Sequence, residues 1–205
     1  MENLAAIREK INGMAVLAVS MLESTFSGFM KHDMEILTRV LEEEDRLNHM
    51  EEAITLSLVN LSKGEVSSID KENMMYFTSI VADLEEIGDY IKDMIERIEI
   101  KIEEKLLFSE EALGEYKHLY RVIETALYDI VNSLKLDDKN FAKRILCDEG
   151  HVNILVQEYR QAHAKRLIAG GCDPRAGNMF LDLLDFAAQI SHHTEAIAKN
   201  ILALK

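Results

Sequence analysis

Glu85 and Asp89 stand four residues apart in Phe77-Thr-Ser-Ile-Val-Ala-Asp-Leu-Glu-Glu-Ile-Gly-Asp-Tyr-Ile-Lys-Asp-Met-Ile-Glu-Arg-Ile98. Apolar residues recur there at 77, 80, 81, 84, 87, 91, 94, 95 and 98, which is helical spacing. On a helix, positions i and i+4 stack on one face. Two carboxylates so placed either hold a hard cation between them or stand solvated. Glu44-x-x-x-Asn48 and Glu149-x-x-x-Asn153 repeat the spacing with an amide in second place. Carboxylate and amide oxygens suit Mg²⁺, Ca²⁺ or Mn²⁺, and carboxylate-rich sites also suit iron. His192, added to Glu149 and Asn153, would make a mixed nitrogen and oxygen site fit for a transition metal. His193 follows it directly and points about 100° away on a helix, so the two do not easily face one ion.

Other chemistry has less support. Glu115-x-x-His118 fits the Glu-x-x-His pattern of di-iron bundles, but that site needs two such motifs and two further carboxylates. Glu42-Glu-Glu-Asp45 reads as a solvated face. There is no Gly-x-Ser-x-Gly, no phosphate loop and no Cys–His pairing to activate a nucleophile. Cys147 and Cys172 lack zinc or redox spacing and read as reduced thiols. The net charge of −14 over 205 residues argues against nucleic acid as a partner, and suits a cation or a basic protein surface. No apolar run reaches the roughly 18 residues of a membrane span. Residues 13–22, apolar but bracketed by Glu9 and Glu23, do not read as a signal peptide.

The elements that must position these residues are helices. One proline, no tryptophan, 48% apolar and 29% charged residues, and long 3.6-period stripes point to an all-α fold. Helices are expected over about 3–30, 34–62, 69–104, 110–134, 139–168 and 175–204. Asp33, the Ser67-Ser68 pair, Ser109 and Asp173 are placed as caps, and Pro174 at a first helical position. Short loops make neighbours in sequence antiparallel. Met14, Met21, Met50 and Met94 lie on the apolar stripes and read as core.

The six helices form two groups of three that look like copies. A shift of 105 carries the second helix onto the fifth: Asp33 meets Asp138, Arg39 meets Arg144, Glu44 meets Glu149 and Asn48 meets Asn153. A shift of 103 carries the third onto the sixth: Phe77 meets Phe180, Ile87 meets Ile190 and Ile98 meets Ile201. The carboxylate pair is not kept, since Glu85 and Asp89 meet Ala188 and His192.

At these residues the chain resembles the PhoU family of phosphate-uptake regulators. Asp83-Leu-Glu-Glu-Ile-Gly-Asp89 is similar to that family's Asn-Leu-Glu-Arg-Ile-Gly-Asp signature. His163-Ala-Lys-Arg-Leu-Ile-Ala-Gly-Gly-Cys-Asp-Pro174, followed by Phe180–Leu184 and Ile190-Ser-His-His193, is similar to the PhoU-like cytosolic tails of bacterial sodium–phosphate cotransporters. The resemblance implies one PhoU-like six-helix domain over 1–205, with repeats at 1–105 and 106–205. It implies a regulator and not an enzyme, acting on a phosphate transporter (a cotransporter's membrane region) at the cytosolic face of the membrane, as a possible homodimer. It also implies a divalent metal or iron at Glu44, Asn48, Glu85 and Asp89, which would pin the second and third helices together. A second set would be Glu149, Asn153 and His192. The family's carboxylate motifs carry over incompletely, with Asn for Asp at 48 and 153 and neither carboxylate at 188 and 192. Two other readings stay open: a di-iron carboxylate enzyme, and a metal-free dimerisation module.

Overall fold

The structure is a computed structural model that describes residues 3–148 and 150–205. Its elements are α1 (Leu4–Lys31), α2 (Met34–Ser62), α3 (Ser68–Glu103), α4 (Glu110–Leu136), α5 (Lys139–Cys147), α6 (His151–Ile168) and α7 (Pro174–Ala203). Among the described residues the chain is all-helical, as the periodicity requires. Local chemistry sets the ends of these helices. Asn3, Asp33, Ser67, Ser109, Asp138 and Asp173 each accept a hydrogen bond from the first turn of the helix they precede, satisfying amides that have no partner inside the helix. The turn that ends α1 recurs at the end of α4. His32 and Asp137 both adopt left-handed backbone with φ 54°, and an aspartate cap follows each.

The first half, α1 to α3, and the second, α4 to α7, are joined along α3 and α7, which pack against each other more extensively than any other pair. All nine apolar positions of the 77–98 stripe are buried. Helix α3 needs this wide apolar face because it packs against α1, α2 and α7 at once. Each fully buried Ile or Leu contributes about 1.5–3 kcal/mol relative to exposure. Met14, Met21 and Met94 are buried in the same continuous core, and Met50 packs at its edge.

The fifth rod is not continuous. A single helix is expected over 139–168, but α5 ends at Cys147 and α6 begins at His151. Gly150 has φ +79°, a backbone conformation that a right-handed helix excludes. Its N–H donates to the Glu195 Oε1 of α7 at 3.1 Å and not to a helical carbonyl. The break leaves a cavity of about 500 Å³ between α4, α5, α6 and α7.

Helix α1 is long and apolar enough to cross a membrane by composition, with mean hydropathy 1.3 over its best window. This differs from the reading that no stretch reaches that length. The apolar residues serve the core, where α1 contacts α2, α3 and α4.

Candidate functional site

The i, i+4 spacings of α2 and α3 bring four of the expected residues to one place. Glu44 is buried at 1% exposure on a helix whose other acidic residues mostly face outward. Asn48 Nδ2 donates to Glu44 Oε1 at 3.0 Å, one turn along α2. The Asp89 carboxyl lies beside Glu44 from α3, and Glu85 sits one turn before it. Close approach of the two helices is permitted by Gly88, where a Cβ would run into the Leu47 side chain. That explains the glycine of the Ile-Gly-Asp stretch.

Electrostatics at this place are dominated by carboxylate crowding. Partial burial, then Asp89 and the neighbouring glutamates 86, 51 and 44, push the Glu85 carboxyl above its ordinary range. Asp89 is raised by burial first and then by its contact with Glu44. Lys92, one turn beyond Asp89, supplies the counter-charge. Its Nζ donates to Glu44 Oε1 at 3.0 Å, and this bond holds the ammonium above its usual range. Lys92 was not among the residues expected from sequence. Its signal was present, since it lies three residues after Asp89 and seven after Glu85 on the same face.

Fit to a metal follows from these contacts. The Asn48 Oδ1 is buried without a donor, which would suit a cation. Against this, Glu44 Oε1 already carries the Lys92 ammonium. Among the described residues no group of three or more His, Cys, Asp or Glu side chains is arranged to hold an ion. As arranged, the residues do not fit a metal centre.

Of the second set, two residues fall among those described. Glu149 lies outside the described residues. Asn153 on α6 and His192 on α7 are both exposed. The neighbouring His193 is the histidine that is engaged. Its Nδ1 lies 2.9 Å from Asp83 Oδ1 across the α3–α7 seam, with its ring beside Tyr90. Arg97 and Asp182 make a second seam pair at 3.1 Å, and Asn73 exchanges two hydrogen bonds with the Lys205 backbone. Glu115 and His118, the di-iron pattern, have other partners. Glu115 binds the Arg166 guanidinium through two bonds of 2.7 Å, and His118 Nδ1 meets the Tyr159 hydroxyl at 2.5 Å.

Fold and cluster together define a duplicated three-helix protein with an acidic clamp between the second and third helices of its first half. Residues 11–98 match the PhoU domain model. It is 27% identical over 161 residues to the phosphate-specific transport system accessory protein PhoU of Escherichia coli K12, covering 76% of this chain. It is equally similar to the PhoU of Serratia marcescens over 155 residues, covering 73% of this chain. The match spans only 63% and 61% of the lengths of those relatives. In three dimensions it is similar to PhoU from Pseudomonas aeruginosa, with TM-score 0.88 and 19% identity over 97% of this chain and 94% of that one. PhoU of Streptococcus pneumoniae gives 0.83 at 14% identity, over 97% and 92%. The fold is therefore shared along nearly the whole chain, including the second half.

Proposed function

We propose that this protein regulates phosphate uptake by binding a phosphate transporter at the cytosolic face of the membrane. The observation that carries the reading is the sequence match to PhoU proteins named as accessory proteins of the phosphate-specific transport system. The physical character of the chain supports it. The functional cluster crosslinks two helices and shapes a surface, and the net charge of −14 favours a partner with a basic face. Regulation then works by contact: the geometry of α2 and α3 sets the surface offered to the transporter.

Radiolabelled phosphate uptake by native cells tests this, with the protein removed and then restored. Removal is expected to abolish the fall in uptake that follows a shift to high phosphate, and restoration to bring it back. Unchanged uptake in both conditions, with no binding to the purified transporter in detergent, would overturn the proposal.

A further inference from the structure

We infer that Lys92 is the resident cation of the first-half cluster and serves where the family resemblance implies a metal. The inference does not depend on the phosphate reading. Glu44 is a buried carboxylate, and a buried charge must be paired. The structure pairs it from two sides, with the Asn48 amide on its own helix and the Lys92 ammonium from α3, each at 3.0 Å. Lys92 therefore does what a bridging ion would do: it neutralises Glu44 and ties α2 to α3. A divalent ion entering here must displace the ammonium or share Glu44 with it against charge repulsion.

The second half supplies an independent observation. The shift of 103 that superposes Phe77 on Phe180 carries Lys92 onto Glu195. Glu195 also joins the third helix of its half to the second rod, but as an acceptor from the Gly150 N–H at 3.1 Å. One position thus clamps the helices in each half. The first half uses ammonium on carboxylate, and the second uses carboxylate on backbone at the α5/α6 break. In the first half, removing the ammonium would leave Glu44, the neighbouring Asp89 and the undonated Asn48 Oδ1 without a cation, an oxygen set of the kind that suits a hard ion.

The test compares the whole chain with Lys92→Ala, Lys92→Arg and Lys92→Ala/Asp89→Ala. Each is incubated with Mn²⁺, Zn²⁺ or anaerobic Fe²⁺, desalted, assayed for metal by mass spectrometry, and melted with and without the ion. The unaltered chain and Lys92→Arg are expected to retain no metal above a protein-free blank and to melt at one temperature in both conditions. Lys92→Ala is expected to melt lower, to take up metal stoichiometrically and to recover part of its lost Tm with the ion. The added Asp89→Ala is expected to remove that uptake. Stoichiometric metal on the unaltered chain would overturn the inference. So would a folded Lys92→Ala protein that binds no metal. If Lys92→Ala does not fold, Lys92→Gln, which removes the charge and keeps most of the stem, is read by the same criteria.

Discussion

Lys101 Nζ lies 2.9 Å from His32 Nε2, joining the end of α3 to the α1–α2 turn. The ammonium is buried at 4% exposure, 4.8 Å from the Phe29 ring centre and 5.6 Å from that of Phe108. In this pair the imidazole must accept, so His32 is neutral. Burial and then the Lys101 charge depress its pKa, and burial depresses that of Lys101.

A pH dependence follows. His163, buried under α7, is also depressed, by burial and then by Arg166, with Glu115 opposing. Both histidines have folded pKa values below the ordinary 6.5. Below that value the unfolded chain takes up protons that the folded chain does not, so stability is lost as pH falls from 6.5 through the folded pKa values. Urea midpoints measured from about pH 7.5 to about pH 5.5 are expected to decline. A His32→Asn/His163→Asn variant should show a flatter decline. An equal slope in the two proteins would refute the assignment.

Gly88→Ala is expected to lower Tm. Alanine gains about 1 kcal/mol of helix propensity, but its methyl meets Leu47, which is itself fully buried. Overpacking of this kind costs about 1–3 kcal/mol. A net loss of about 1 kcal/mol, read by urea denaturation, is the expected outcome. A rise in stability would show that α2 and α3 can separate freely at the clamp.

Glu115→Ala should loosen α6 from α4. Glu115 and Arg166 are each 16% exposed, and their bonds are bidentate. Truncation strands the guanidinium, so a loss of about 2 kcal/mol is expected, less than the roughly 3–5 kcal/mol of a fully buried pair. Amide exchange over the last turns of α6 should accelerate more than exchange in α3.

Gly150→Ala meets no atom within 4 Å, so its cost is backbone alone. Holding alanine at φ +79° costs about 1–2 kcal/mol. The urea midpoint should fall with the slope unchanged. An increase in helicity by circular dichroism would mean instead that α5 and α6 have fused.

Much of this protein was legible in its residues. Rods and turns follow from local rules, because an apolar stripe and a capping oxygen act within a few residues. Asp33, Ser67, Ser109 and Asp173 cap where their positions say they should. The carboxylate spacing put Glu85 and Asp89 on one face, and the family resemblance placed Glu44 and Asn48 with them. The break at Gly150 was not legible, because the glycine's conformation is held by Glu195, which lies 45 residues away.

The sequence by itself determined an all-helical chain in two similar halves, with its turns, caps and core stripe, because each of these depends on neighbours along the chain. Only the tertiary structure decided which charges meet. Lys92 reaches Glu44 across 48 residues, and His193, not His192, reaches Asp83 across 110. Both outcomes depend on how far each helix is rotated about its axis and how closely it approaches its neighbour, which helical periodicity leaves open.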